Sequence, residues 1–295
     1  MDTIGNYMRQ YFVIALFLLP LMAWAQDNGL NPIYSLEIQD ATYEVQAKKK
    51  VTAGQVLSTI ANAAAGVSTD THHEDKVSAM NDVIKSAFKY VRRLHPVDAL
   101  MDGENGYLVT GHINNLTTTS KTEVHTSKDS KGKEIKKTTV RYDAVAEISL
   151  TLKEVLSGSV TTQNFRCTAY SDGPTATAEK AISAAVNGMK GKIASYYNAK
   201  FPTRANIVER GAEKKDKQKE LYIDVGSTVR TYEGQHFYIY VVGTVAGRET
   251  KKEVGRVKVS EVLGEDISLC KVQKGGKDIK AALDEGKQVV AISAD

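Results

Sequence analysis

The chain is short of the residues from which most compact functional sites are built. Two cysteines in 295 residues exclude both a disulfide scaffold and a four-cysteine zinc site. The single tryptophan, Trp24, lies just after an N-terminal apolar run. If that segment is removed, Phe88, Phe165, Phe201 and Phe237 are the phenylalanines left and no tryptophan remains. Sugar and base platforms use flat aromatics, so both are disfavoured. A large charge excess is missing as well. The 39 basic and 35 acidic residues leave a net +4, without the concentrated basic face of a dedicated nucleic-acid binder. No G-x-S-x-G, H-E-x-x-H or G-x-G-x-x-G pattern occurs, so the usual nucleophile, zinc and dinucleotide signatures are lacking. Gly188-Met189-Lys190-Gly191-Lys192 lacks the spacing and the Ser/Thr of a phosphate loop and falls inside a helical pattern. These absences leave no catalytic residue, cofactor or metal to assign.

What is present has an ordinary globular balance, with 42% hydrophobic and 25% charged residues, enough for one large or two modest domains. The N-terminus carries an address. Arg9 precedes the apolar residues 11–22, and Ala23-Trp24-Ala25 and a polar stretch follow. This is the layout of a secretory signal peptide cut after Ala25. Twelve apolar residues reach only about 18 Å as a helix against a hydrocarbon core of about 30 Å, so a membrane anchor is the weaker reading. The expected location is exported, either periplasmic or outer-membrane-associated.

Alternation and helical spacing then organise the chain. Residues 33–46 read as a strand with Tyr34, Leu36 and Ile38 on one face, and residues 53–65 as a small apolar segment that packs in the core or on a partner. A helix is predicted over 75–93 from the stripe Val77, Met80, Ile84, Ala87, Phe88 and Val91. A short strand at 94–100 and a turn at 102–106 follow. Residues 107–116, 140–152 and 159–169 predict a meander. Val140, Tyr142, Ala144, Ala146, Ile148, Leu150 and Leu152 point one way, and Arg141, Asp143, Glu147, Ser149 and Thr151 the other. That is a half-buried antiparallel strand with one wet face. The connection over 117–139 is almost wholly polar and reads as a two-stranded ribbon with a tip at 129–132. Only Val124 and Ile135 could face lipid, too few for a transmembrane hairpin. The ribbon supplies candidate partner contacts: Thr119, Lys121, Lys128, Lys131, Lys133, Lys136 and Lys137.

A second helix is predicted over 175–200, capped by Thr175 or Thr177, with Ile182, Ala185, Val186, Met189, Ile193, Tyr196 and Tyr197 inward. The mixed-charge stretch 209–220 reads as part of a linker. Five short strands within 221–292 and a short helix at 277–284, punctuated by glycines, suggest a small SH3-like barrel. The expected fold class is α+β. An N-terminal α/β sandwich, with a mixed, mostly antiparallel sheet and helices packed on it, precedes a small barrel-like domain. The expected divisions are 1–25 leader, 26–206 α/β domain, 207–220 charged linker and 221–295 β-rich domain. His72-His73-Glu74-Asp75 is the most metal-like cluster. Adjacent histidines diverge, however, and the cluster is read as the start of the first helix. Cys167 and Cys270 are read as buried thiols, with a bridge between the units as the alternative.

Residues 82–98 (DVIKSAFKYVRRLHPVD), 106–113 (GYLVTGHI), 142–158 and 178–202 follow one another in a recognisable order. In that order the chain resembles the CsgG-like family of curli-secretion proteins. LpoB-type penicillin-binding-protein activators and the TolB amino-terminal domain share the same core. Residues 221–226, 233–240 and 255–272 resemble the carboxy-terminal domain of the flagellar assembly protein FlgT. The resemblance implies an α/β sandwich that binds envelope proteins, outer-membrane or peptidoglycan-associated ones among them, without catalysis or cofactor. It leaves peripheral membrane association and self-association open. The lipidated cysteine and the membrane-inserting hairpins of some members have no counterpart here. Two alternatives stand beside this reading: an oligomeric secretion channel, and a hydrolase assembled from dispersed groups such as Asp98, Asp102, Glu104 and His112.

Overall fold

The computed structural model describes residues 31–43, 70–128 and 130–294. The expected leader, the segment 53–65 and the end of the first expected strand lie outside the described residues. The fold is α+β, a mixed sheet with two helices on one face followed by a closed barrel with a third helix.

The sheet is built from β1 (Tyr34–Ile38), β2 (Thr42–Tyr43), β3 (Asp70–His72), β4 (Leu94–Val97), β5 (Gly106–Lys128), β6 (Glu134–Glu154) and β7 (Val160–Ser171). Its order is β4-β1-β5-β6-β7, with β2 and β3 also pairing along β5. β1 runs parallel to β4 and β5, whereas β5, β6 and β7 form an antiparallel meander. The alternation on β6 holds as read. Ala144, Ala146, Ile148, Leu150 and Leu152 are buried, and Val145, the one exception to the pattern, sits half-buried on the other face. On β5 the alternation changes phase. Val109 and Ile113 are buried, but so are Leu116 and Thr118, because the register with β6 shifts between Ile113 and Asn115. A bulge there turns an odd-numbered inner face into an even-numbered one.

The apolar face is covered by α1 (Val77–Phe88), entered through a 3-10 turn at Glu74–Lys76, and by α2 (Ala178–Lys200). Of the two threonines offered as caps, Thr177 is the one used: its hydroxyl accepts from the Lys180 N–H at 3.1 Å. This satisfies one of the unpaired donors of the first turn. Met80, Ile84, Ala87 and Phe88 of α1 and Ile182, Ala185, Val186, Met189, Ile193 and Tyr197 of α2 enter one core with the sheet. Phe88 and Tyr197 lie 4.8 Å apart, and Phe165 of β7 meets Tyr196 edge-on at 5.5 Å. Such pairs add about 0.5–1.5 kcal/mol each beyond area burial. Gly188 lets α2 approach β7, since a Cβ there would sit 2.6 Å from Cys167 Sγ.

The second unit corrects the expected linker. Residues 207–220 are not a connection between domains. Arg204–Arg210 forms β8, a barrel strand, and β9 (Glu213–Lys214) pairs with β10 (Lys217–Gln218) in a small hairpin. With β11 (Glu220–Ile223), β12 (His236–Val245), β13 (Arg248–Val262), β14 (Ser268–Lys274) and β15 (Val289–Ser293), β8 closes a six-stranded barrel in the order β11-β14-β13-β12-β15-β8. A barrel strand needs only alternate apolar residues. Here Ala205 is buried and Ile207 packs on the core, while Glu209 and Arg210 face outward, so the charge run masked a strand. Gln218 is buried and donates to the Glu220 carbonyl at 2.7 Å. Lys280 of α3 (Gly276–Asp284) reaches back to Glu213 at 2.8 Å.

The two units have separate cores but abut directly. Arg93 Nη1 donates to the Pro202 carbonyl at 3.1 Å, and its Nε and Nη2 donate to Pro32 O. Asn31 exchanges two hydrogen bonds with the Arg204 backbone, at 2.6 and 2.8 Å. Cys167 and Cys270 are both free and buried, one in each core. Burial pushes the Cys270 thiol up to about 12.

The close approach of α2 gives a test. Gly188→Ala should destabilise the protein by about 1–3 kcal/mol, the usual cost of overpacking, despite the better helix propensity of alanine. Adding Cys167→Ala should recover much of the loss, because the new methyl occupies the space that Sγ leaves. Thermal melting of the two single variants and the double variant measures this coupling.

Candidate interaction surface

β5 and β6 do not stop where the core stops. On one edge of β5 the pairing with β3 ends at Thr119, and β7 leaves β6 at Tyr142. Beyond these points β5 and β6 have only each other among the described residues. They stay in register from Ser120 opposite Tyr142 to Lys128 opposite Glu134. At about 3.4 Å per residue this arm extends roughly 27 Å past the sheet. Gly132, at φ +79°, takes part in the turn at its end. The Thr- and Lys-rich sequence suits this geometry: threonine favours extended backbone, and none of the arm's described side chains is buried.

The proposed contact residues divide along the arm. Thr119 and Lys121 lie at its root and have partners within the chain. Thr119 Oγ1 donates to Asp70 Oδ1 at 2.6 Å. Lys121 Nζ donates to Asp143 Oδ2 at 2.9 Å, and Arg141 Nε to Asp143 Oδ1 at 2.7 Å. The Arg141 guanidinium lies 4.5 Å over the ring of Tyr170, which is itself exposed. The hydrogen bonds from Lys121 and then Arg141 hold the Asp143 carboxyl below the ordinary aspartate range. Lys128, Lys131 and Lys133 are exposed near the tip, with Ile135 beside them 48% exposed. Lys137 and Lys136 occupy the register positions opposite His125 and Thr126. The seven residues are thus strung along a ribbon and do not converge on a point. Tyr170 and Asp143 belong to the root, although neither was marked as a contact. Their only sequence signal is outward phase on two neighbouring strands.

The rest of the outer sheet face carries the Glu147–Arg166 ion pair and a run of short polar side chains. Asn114 donates to Ser149 Oγ at 2.7 Å, Ser149 to Asn164 at 2.8 Å, and Thr151 and Thr162 meet at 2.9 Å.

The 72–75 cluster begins the first helix as expected, with Glu74 and Asp75 in the first turn, and His73 has a contact of its own besides. It stands at the N-cap of the 3-10 turn but makes no capping bond. Its ring turns inward, with Nε2 2.8 Å from Thr118 Oγ1 and Nδ1 3.7 Å from Asp75 Oδ1. Lys76 pairs with both Asp75 and Glu179. Contacts with Glu179 and Asp75 raise the Lys76 ammonium above its ordinary range.

The dispersed acid–base groups do not gather round His112. Glu104 accepts from Ser35 and from the Met101 N–H, and these bonds hold its carboxyl below the usual range. His112 pairs with Thr42 at 3.1 Å, six residues along β5 from Gly106, about 20 Å at the strand rise. A cavity of about 540 Å³ beside α3 is lined by both signs of charge, among them Lys252, Glu253, Lys274 and Asp278. A second hollow of about 460 Å³ lies beside Gly234, between Glu233, Lys258 and Lys271.

No protein-family model and no curated protein sequence matches the chain. Among solved structures it is similar to a Xanthomonas campestris protein of the DUF330 family, at 12% identity and a TM-score of 0.32 over 56% of this chain and 85% of that one. It is also similar to the PelC dodecamer subunit from Paraburkholderia phytofirmans, at 8% identity and a TM-score of 0.23 over 55% and 87%. A third likeness is to lipoprotein GNA1162 from Neisseria meningitidis, at 13% identity and a TM-score of 0.19 over 55% and 99%. Likenesses this faint transfer no function.

The arm root has a pH signature. A carboxyl held below its unfolded value of 3.8 stabilises the folded state above that value and loses its contribution as pH falls through the folded value. Asp143→Asn should therefore melt slightly below the wild type at pH 7. The gap should close as the pH falls below about 4, the unfolded aspartate value. Melting curves across pH 2–7, about the range in which carboxylates titrate, measure it.

Proposed function

We propose that this chain is an exported protein of the cell envelope that acts without catalysis, as a binding or assembly factor, through protein–protein contacts made by the β5–β6 arm. The observation that carries the reading is the arm itself. Two long strands leave the sheet together, and past Thr119 and Tyr142 no third strand among the described residues pairs with them. Unpaired strand edges are templates for another chain, and strand addition is a common mode of partner recognition. The exposed Lys128, Lys131 and Lys133, with Ile135, give the tip a basic surface with one apolar contact. Such a surface suits an acidic partner strand. Export rests on the leader pattern before Gln26, and the envelope role on the resemblance to the CsgG-like family.

Two experiments test the two halves of this reading. Fractionation of the native cell, with N-terminal sequencing of the recovered protein, should place the chain outside the cytoplasm and beginning at Gln26. A cytoplasmic protein with its leader intact would remove the export half. For the arm, Thr122 and Val140 face each other in register, so residues 123–139 can be replaced by an Asn-Gly turn. The shortened protein should melt within a few degrees of the full chain, because the arm adds no core. In the intact chain a photoreactive group at Ser127 should crosslink envelope partners, and partner crosslinks from a probe outside the deletion, at Tyr170 of the arm root, should be lost in the shortened protein. Partner crosslinks from the outer sheet face at Thr162 that survive the deletion unchanged would show the arm to be irrelevant.

A further inference from the structure

We propose that His73, Asp75 and Glu179 form a binding site for a divalent transition-metal ion of the zinc type, and that the Lys76 ammonium occupies the same charge pocket in competition with it. This goes beyond the binding role proposed above and does not depend on it. The ligand atoms come from two places that the sequence does not connect: the 3-10 turn before α1, and the first turn of α2. One ring nitrogen and one oxygen from each carboxylate all lie within 4.8 Å of one another. Ligand atoms around a tetrahedral zinc ion, bonded at about 2.1 Å, lie about 3.4 Å apart. Reaching that spacing takes up to about 1.4 Å of side-chain movement. Asp75 and Glu179, whose side chains are 61% and 60% exposed, would make it as they give up their ion pairs with Lys76.

The burial of His73 and its contact with Thr118 add a second observation. Its side chain is only 10% exposed, and Nε2 is held by Thr118 Oγ1, which is itself buried. The neutral tautomer that donates from Nε2 leaves its lone pair on Nδ1. Nδ1 makes no hydrogen bond among the described residues and faces Asp75 at 3.7 Å. A histidine fixed through one ring nitrogen by a second group, with the other nitrogen aimed at carboxylates, has the arrangement of a metal ligand with its outer partner. Imidazole with two carboxylates suits zinc rather than calcium or magnesium, which take oxygen shells. The charge count agrees. Lys76 alone leaves the two carboxylates with one negative charge, whereas a divalent ion balances them and releases the ammonium to water. The ion would tie the first turn of α2 to the β3–β5 junction at the arm root, where Asp70 holds Thr119.

The metal-free full chain is titrated with Zn²⁺ by calorimetry and with Co²⁺ by visible absorption. Melting curves recorded in chelator establish that each variant is folded. The expected result is one site per chain. Glu179→Gln, at an exposed position, should weaken it by about 10–100-fold, and Thr118→Val should weaken it within the same approximate range through the ring orientation. Lys76→Met keeps the apolar stem and removes the competitor, so it should bind both ions several-fold more tightly. Absence of binding by both the wild type and Lys76→Met overturns the proposal. So does binding unchanged by Glu179→Gln, which places the ion elsewhere, or binding no tighter in Lys76→Met, which removes the competition.

Discussion

The burial of a single apolar sheet face against α2 is the constraint on which the α/β unit depends. On β6 the inward residues are Ala144, Ala146, Ile148, Leu150 and Leu152, all buried. Each of the larger ones contributes roughly 1.5–3 kcal/mol by leaving water. Ala144 and Ala146 face a helix that itself buries Ala181 and Ala185, and Gly188 lets its backbone come within reach of Cys167. Once α2 is seated, α1 has one place to go, beside it, with Phe88 against Tyr197. The opposite face then stays wet and is knitted by Thr, Ser and Asn side chains.

The same two strands carry the fold and the proposed contact surface because backbone pairing and side-chain burial have different reach. Ladder hydrogen bonds continue for as long as two extended chains stay in register. Burial ends where α2 ends. Past Thr119 the arm therefore keeps its backbone bonds and loses its core. It is left with cross-strand pairs worth about 0.2–1 kcal/mol each, in a two-stranded element of a kind that is marginal alone. The root network of Lys121, Asp143, Arg141 and Tyr170 anchors the arm where that support ends. Lysines toward the tip are the usual defence of an exposed strand against indiscriminate pairing.

The barrel solves the edge problem differently, by closure. β8 and β11 complete the ring, and every barrel strand gains two neighbours. The N-terminal unit joins it across Phe201 to Thr203 with no spacer. Arg93, buried at the junction, binds carbonyls at Pro32 and Pro202.

Period-two and helical spacing in the sequence were enough to determine the meander, the second long helix with its buried stripe, the polar ribbon and the β-rich end, but only the middle of the first helix, which stops at Phe88 and leaves Val91 buried beyond its end. Each of these is a local pattern that burial on one side imposes on consecutive residues. The bulge after Ile113, the sixth barrel strand and the meeting of His73 with Glu179 were decided only by the tertiary structure. A bulge changes register without changing composition. β8 carries too few apolar residues to announce a strand inside a charged stretch, and it becomes one because β15 and β11 supply its neighbours. His73 and Glu179 come together because α2 packs its first turn beside the turn that starts α1, a juxtaposition made by the shared core and not by spacing along the chain.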